Sequence, residues 1–174
     1  MRPPRSVAVA LCLCAAGCFW GFKHPLGPVK SAFIEPRLLG TWQCSSTEDP
    51  KPGRITIIDF DGKQYYFGSL DDEGKTSHSR VHATRVGGVP YLSSVEVGKE
   101  EDGWFVVRYE FPDQERLHLR FVDPKPFEQV LDNPGKVRKL LERRRNDPTL
   151  FLDVFLSCVR EPVPDTVETR PPGQ

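Results

Sequence analysis

The sequence lacks a hydrophobic run long enough to cross a membrane as a helix, and it lacks an excess of charge of either sign. Its longest uncharged apolar run, at residues 6–17, has about 12 residues, whereas a membrane-spanning helix needs about 20. The 24 Lys and Arg residues are balanced by 24 Asp and Glu residues, so the formal net charge is zero. These absences argue against a helical membrane protein and give no support to nucleic-acid binding.

The sequence also lacks a recognisable catalytic or metal-binding motif. No serine or cysteine stands in a nucleophile-elbow or papain-like context. His78 and His82 would lie about 13 Å apart along a strand, too far to share one metal ion, so we predict surface histidines. The glycine pair at 87–88 has no helix behind it to bind phosphate, and Asp59 and Asp61 are predicted to stabilise a turn rather than to bind calcium. We therefore expect no enzymatic activity, no cofactor and no bound metal.

The N-terminus has the layout of a signal peptide. Arg2 and Arg5 precede the uncharged run at residues 6–17, which ends in small residues. The sequence therefore predicts export from the cytoplasm and removal of residues 1–17.

The end of this leader, Ala15-Ala16-Gly17-Cys18, resembles the bacterial lipoprotein signal, although alanine stands at position 15 where the family usually has leucine. The resemblance implies that Cys18 becomes the mature N-terminus and carries acyl chains such as palmitate, which anchor a protein in a membrane. Phe19 stands where many inner-membrane lipoproteins have aspartate, which implies the outer membrane, facing the periplasm or the cell surface. Ordinary secretion is the alternative.

The remaining cysteines predict a disulfide. Cys12 and Cys14 leave with the leader and Cys18 takes the lipid, so only Cys44 and Cys158 are left in the folded region. An isolated pair in an oxidising compartment favours a disulfide, which would close a loop of about 115 residues and contribute about 4 to 5 kcal/mol in the chain-entropy model. Two buried free thiols are the alternative.

The mature chain fits one domain between two irregular segments. Residues 18–37 mix aromatic residues with glycine and proline without a period, so we predict a lipid-anchored tether. Residues 161–174 hold four prolines among polar residues, which predicts a disordered tail. The folded domain is expected at residues 38–160.

Short stretches with alternating apolar and polar residues predict a series of β-strands within this domain. Leu117, Leu119 and Phe121, for example, alternate with charged residues, as in a sheet with one buried face. The predicted strands lie at residues 39–44, 54–60, 63–67, 79–86, 90–97, 104–111, 116–122 and 150–159.

Two short helices are predicted before the last strand. Asp123-Pro124 and Asn133-Pro134 each combine an N-cap residue with proline at the first helical position. The predicted fold class is mainly β: a small antiparallel meander barrel, lipocalin-like, with about seven or eight strands. Closure of this barrel would bring the first and last strands together, with Cys44 near Cys158.

Two sets of residues carry a resemblance to known families. Leu39-Gly40-Thr41-Trp42 resembles the Gly-x-Trp opening of lipocalin-like barrels. Residues 84–92, 117–124 and 147–151 are similar to small uncharacterised bacterial lipoproteins. The resemblance implies a lipocalin-like domain and membrane anchoring, but it implies no activity. Helices placed before the last strand are a departure from true lipocalins.

The apolar residues of the predicted strands form either a filled core or a pocket for an apolar ligand, because barrels of about eight strands lie between these two cases. The candidate pocket residues are Trp42, Ile55, Ile57, Tyr65, Phe67, Val106, Leu117, Leu119 and Phe121.

The basic run at 138–139 and 143–145 is interpreted as a solvated helix face, with contact to lipid phosphates as the alternative. We expect a non-enzymatic envelope lipoprotein that acts as an accessory or interaction module. The alternative function is a carrier of a small hydrophobic or lipidic ligand. The expected partners are the membrane, through the lipid anchor, and an envelope protein or hydrophobic ligand, with no nucleic acid.

Overall fold

The protein is a closed antiparallel barrel of eight strands. The computed structural model describes residues 21–47, 51–70 and 74–162, so the predicted leader, the lipidation site Cys18 and most of the predicted tail lie outside the described residues. Each strand pairs with the next in sequence, and the last pairs with the first. The strands are β1 Gly40–Ser46, β2 Gly53–Asp59, β3 Tyr65–Leu70, β4 Thr76–Val86, β5 Val89–Glu96, β6 Phe105–Glu110, β7 Arg116–Val122 and β8 Phe151–Arg160.

The prediction of a small mainly β meander barrel is therefore confirmed at the level of strand number and closure. Two glycines form the tight turn between β4 and β5. The turn has φ values of 56° at Gly87 and 82° at Gly88, which residues with a Cβ rarely adopt. Alternation sets the two faces of the wall. In β7, Leu117 and Leu119 are buried while Arg116 and Arg120 are exposed.

The connections divide the barrel into two ends. At the Trp42 end, the chain enters β1 and short turns join β2 to β3, β4 to β5 and β6 to β7. At the Leu70 end lie the connections from β1 to β2, from β3 to β4, from β5 to β6 and the long one from β7 to β8. In a meander these positions follow from strand order alone.

The long connection holds the two longest helices of the described residues. Residues Lys125–Val130 form a 3₁₀ helix, and Pro134–Arg143 form α1, where the Asn133 side chain accepts a hydrogen bond from the Lys136 N–H at 3.0 Å. Within the described ranges, none of the helices has the length and apolar character needed to span a membrane.

A second layer covers one side of the barrel, and it corrects the predicted tether. Residues 21–37 of the segment 18–37 pack on the barrel: Phe22, Leu26 and Ala32 are buried, and Phe22 pairs with Trp104 in a β-bridge. We call residues 21–32, the 3₁₀ helix Lys125–Val130 and α1 the covering layer. The folded domain therefore includes residue 21 and does not begin at 38.

The covering layer creates a second core outside the barrel. It lies on the outer faces of β4, β5 and β6, which the layer shields from water together with the buried polar residues His82, Thr84 and Ser93. The buried residues of this outer core are Phe22, Leu26, Val86, Tyr91, Val106, Val122, Phe127, Val137, Leu141 and Leu150.

Candidate functional site

The candidate site is the barrel interior, which is sealed at the Trp42 end. A 3₁₀ helix at Pro36–Leu38 precedes β1, and Leu38 and Trp42 are both completely buried. The indole Nε1 of Trp42 donates a hydrogen bond to the Leu38 carbonyl at 2.9 Å. The tryptophan is therefore held at one polar atom while its rings fill this end of the interior.

Arg160, the last residue of β8, covers the same tryptophan. Its guanidinium lies 4.2 Å from the centre of the Trp42 ring. It also donates hydrogen bonds to the Leu39 carbonyl at 2.7 Å and to the Arg37 carbonyl at 2.6 Å. One side chain from the last strand thus fixes the segment that leads into the first.

Tyr65 completes the seal. Its hydroxyl accepts a hydrogen bond from the Glu35 N–H at 2.5 Å and lies 3.5 Å from the Phe33 carbonyl, to which it donates. Burial raises the pKa of Tyr65 to about 12, so the hydroxyl stays protonated and remains a donor.

The Cys44–Cys158 disulfide is present. The two cysteines are directly opposite each other in the β1–β8 pairing, and both belong to the interior core. The prediction that barrel closure brings these residues together is confirmed. The bond joins the first strand to the last, 114 residues apart.

Eight of the nine predicted pocket residues lie in or against the interior core. Trp42, Ile57, Tyr65, Leu117 and Leu119 are buried there. Ile55, Phe67 and Phe121 are only partly buried and pack against this core.

The placement of Val106 in the pocket is wrong. In the β5–β6 pairing Val106 stands opposite Ser93, on the outer face of the wall, and it is buried in the outer core. Its neighbours Val107 and Tyr109 belong to the interior core instead. The covering layer buries the outer face of β6 at Val106, which obscures the alternation there. Further along the strand Arg108 and Glu110 lie outside and Tyr109 inside, and this alternation places Val107 inwards.

Towards the Leu70 end the interior becomes polar and partly exposed. Register places four serines and one glutamate on the inner face of β3, β4 and β5, where the Ser69 and Ser77 hydroxyls lie 2.6 Å apart. All five side chains are partly exposed: Ser69, Ser77, Ser79, Ser94 and Glu96. Sequence reasoning missed them, although Ser77 and Ser79 share the strand parity of the apolar Val81.

The interior therefore has a graded lining. Completely buried aromatic side chains lie at the Trp42 end, partly exposed Phe67 and Phe121 follow, and serine hydroxyls line the Leu70 end. This arrangement is suited to a molecule with an apolar part and a hydrogen-bonding head group.

Tyr109 differs from Tyr65 in having no partner for its hydroxyl. The side chain is 2% exposed, and its oxygen makes no hydrogen bond to any residue in the described part of the chain. Burial raises the pKa of Tyr109 well above its usual value. The residue lines a cleft of 310 Å³ at the Trp42 end that also contains Arg37, Arg85 and Arg108.

The prediction of surface histidines is correct for His78 and wrong for His82. His82 is completely buried on the outer face of β4, where the covering layer crosses it, and its Nε2 lies 2.9 Å from the Gly27 carbonyl. Burial lowers the pKa of His82, and its Nδ1 has no partner among the described residues. Trp104 packs edge-on against the ring at 5.5 Å.

The aspartates near residue 60 stabilise a turn, as predicted. Asp61 accepts hydrogen bonds from the backbone N–H groups of Lys63 and Gln64 at 2.9 and 2.7 Å, and Asp59 accepts one from Gly62 at 2.7 Å. The side-chain hydrogen bond from Gln64 lowers the pKa of Asp61. Over residues 21–47, 51–70 and 74–162, no three potential ligands converge to hold a metal ion.

One row of polar residues has the composition of a hydrolase triad. Glu110, His118 and Ser157 stand opposite one another on the outer faces of β6, β7 and β8. His118 Nδ1 and Glu110 Oε1 are 3.6 Å apart, and no hydrogen bond joins Ser157 to His118 within the described chain. Among the described residues these three side chains are therefore not linked into a hydrogen-bonded triad.

Comparisons with known proteins gave no match: no family model, no curated protein and no solved structure matches this chain.

Proposed function

We propose that the protein is a non-enzymatic envelope lipoprotein whose lipocalin-like barrel is a binding module at the membrane surface. The leader composition and the Ala-Ala-Gly-Cys18 sequence support export and acylation. Gly40-x-Trp42 on β1 of a closed eight-stranded antiparallel barrel supports the lipocalin-like assignment. An outer-membrane location rests on Phe19, the residue after the acylated cysteine.

The form of binding that the geometry favours is a small hydrophobic or lipidic ligand in the barrel interior. The graded lining carries this proposal. An apolar tail would contact Ile55, Phe67 and Phe121, and the serine hydroxyls near the Leu70 end would bind the head group. Eight-stranded barrels are at the size that holds one small ligand.

A protein partner in the envelope is the second candidate. Ile58 and Phe60 are two residues apart on the outer side of the barrel and are 52% and 59% exposed. The covering layer shields β4, β5 and β6 but leaves this region of β2 open. A surface of this kind favours contact with another protein.

Intact mass spectrometry of the mature protein, purified from membranes of its own host, tests the anchor. We expect the mass of a chain beginning at Cys18 plus acyl chains, and a gain of two protons on reduction of the disulfide. A mass without acyl chains overturns the lipoprotein assignment.

Analysis of co-extracted lipid tests the ligand. Ser79→Phe fills the interior beside Phe67, whereas Ser157→Phe adds the same bulk to the outer face. We expect bound lipid in the wild type and in Ser157→Phe, and its loss in Ser79→Phe with the melting temperature maintained. Acylated protein that carries no lipid supports the protein-binding module instead.

A further inference from the structure

We propose that the covering layer is a membrane-docking face, and that it binds the anionic head groups of the bilayer in which Cys18 is anchored. This inference rests on the acylation of Cys18 in the proposed function. It adds the orientation of the barrel on the membrane and the lipid chemistry that the protein recognises.

The first argument for this proposal is that the chain is already packed on the barrel at residue 21. Gly21 is buried against the β5–β6 connection, where a Cβ would lie 3.1 Å from the Asp102 carbonyl oxygen. Phe22 exchanges two backbone hydrogen bonds with Trp104, at 2.8 and 2.7 Å. The covering layer therefore begins at residue 21 as part of the folded domain.

The distance from the anchor to this point is short. Three residue-to-residue steps separate Cys18 from Gly21, and each step spans at most about 3.8 Å, so the acylated cysteine lies within about 11 Å of the layer. A tether of 20 residues would allow any orientation. Three steps hold the side of the barrel that carries the covering layer close to the bilayer surface.

The second argument is that the side of the barrel with the covering layer is rich in basic residues. Residues 134–145 contain six Lys or Arg residues and one acidic residue, Glu142, in a chain whose formal net charge is zero. Residues 21–32 add Lys23 and Lys30 and no acidic residue. The covering layer as a whole contains seven Lys or Arg residues and two acidic residues, Glu128 and Glu142, while the adjoining β5–β6 connection carries the acidic run Glu100–Asp102.

The geometry of α1 turns this charge outwards. Val137 and Leu141 are buried in the outer core, and Lys136, Lys139 and Arg143 are exposed on the opposite side of the helix. No carboxylate within the described residues lies at ion-pair distance from these three side chains. Two nearby acids are engaged elsewhere, since Asp132 pairs with Lys23 at 2.5 Å and Asp147 with Arg144 at 2.7 Å.

The covering layer is held firmly enough to act as a rigid face. Arg138 donates hydrogen bonds to the Leu26 carbonyl at 3.1 Å and to the Arg85 carbonyl at 3.3 Å, so it joins α1, the N-terminal segment and the barrel wall. The basic side chains are thus presented together. Basic residues near an anionic bilayer act additively, and together with an acyl chain they stabilise attachment.

Amine labelling of the mature, membrane-purified protein tests the docking face. The protein is reconstituted in vesicles of phosphatidylcholine alone or mixed with phosphatidylglycerol and treated with a membrane-impermeant amine reagent. Lys51, which is exposed before β2 on the barrel side away from the layer, serves as the internal reference. We expect Lys136 and Lys139 to react roughly fivefold more slowly, relative to Lys51, on the anionic vesicles, with recovery in high salt.

A pair of matched variants assigns the effect to α1. In Lys136→Gln/Lys139→Gln/Arg143→Gln, the protection of Lys30 should fall to the level seen on neutral vesicles. Arg54→Gln/Lys75→Gln/Arg116→Gln removes the same charge from exposed positions on β2, before β4 and on β7, and should leave the protection unchanged.

The outcomes separate this inference from the proposed function. Acylated protein whose Lys136 and Lys139 react as fast as Lys51 on anionic vesicles overturns the docking face and leaves the anchor intact. A mass without acyl chains overturns the anchor instead, and flotation of that protein with anionic vesicles then decides the head-group contact. Protection found only in native membranes assigns the face to a protein partner and overturns the lipid proposal.

Discussion

The hydroxyl group of buried Tyr65 has a hydrogen-bond partner, whereas that of buried Tyr109 has none among the described residues. Replacement by phenylalanine should therefore affect stability differently at the two positions. Tyr65→Phe would leave the Glu35 N–H without its acceptor and should lower the free energy of unfolding by about 1 to 2 kcal/mol. Tyr109→Phe removes an unpaired buried hydroxyl and should leave it unchanged or raise it by up to about 1 kcal/mol. Urea unfolding of both variants is the measurement. Equal losses in the two variants would contradict this difference.

His82 makes stability depend on pH. Because burial lowers its pKa below the ordinary value of 6.5, the unfolded chain binds a proton more readily than the folded protein. The free energy of unfolding should therefore fall as the pH drops below about 6.5, by at most about 1.4 kcal/mol per pH unit, until the folded-state pKa is reached.

Unfolding as a function of pH in two variants isolates this residue. His82→Gln keeps a donor for the Gly27 carbonyl and should lose part of the slope between pH 6.5 and the lower pKa. His78→Gln, at an exposed position, should keep the wild-type slope. A slope that is unchanged in His82→Gln would assign the acid sensitivity to other groups.

At the scale of elements, the covering layer is expected to contribute to the stability of the barrel. Phe22→Ala removes a ring that is 1% exposed and packs against Phe127 at 5.5 Å. It should cost about 3 kcal/mol or more, as core Phe-to-Ala replacements do. Phe60→Ala, at a ring that is 59% exposed, should change stability by less than about 0.5 kcal/mol. Thermal unfolding that is equally unaffected by both changes would mean that residues 21–32 detach in solution.

The strands were predictable, whereas the N-terminal part of the covering layer, residues 21–32, was not, for one physical reason. A strand with one buried face can be recognised in the sequence because apolar and polar residues alternate with a period of two, as in β7. Residues 21–32 have no period, since glycine and proline set an irregular path and Phe22 and Leu26 are buried one at a time. Irregular sequence resembles a linker even where the chain is packed.

The residues of the candidate site were likewise predictable only where the alternation along a strand was clear. Apolar inward positions such as Trp42 and Leu117 could be identified from strand parity, and eight of the nine predicted residues belong to the interior core or pack against it. The serines of the Leu70 end gave only the parity that Ser77 and Ser79 share with Val81, because serine itself is typical of a solvent-facing strand position. Val106 was misplaced although Arg108 and Glu110, two and four residues further along β6, lie on the outer face and fix the parity of the strand.

At the scale of the whole molecule, the disulfide joins the first strand of the closed barrel to the last. The double variant Cys44→Ala/Cys158→Ala should lower the free energy of unfolding by about 2 to 5 kcal/mol, because a bond across 114 residues restricts the unfolded chain strongly. Chemical unfolding of this variant and of the reduced wild type should agree. Full stability without the bond would show that strand pairing alone closes the barrel.

The pairing of β1 with β8 also determines how late during synthesis the barrel can close. At roughly 5 to 20 residues per second, Cys158 is synthesised roughly 6 to 23 seconds after Cys44, which is 114 residues ahead of it. During this interval β1 has only β2 as a neighbour, and the first thiol has no native partner, while Cys12, Cys14 and Cys18 precede it on the same chain. The native disulfide therefore cannot form until the final strand has been made.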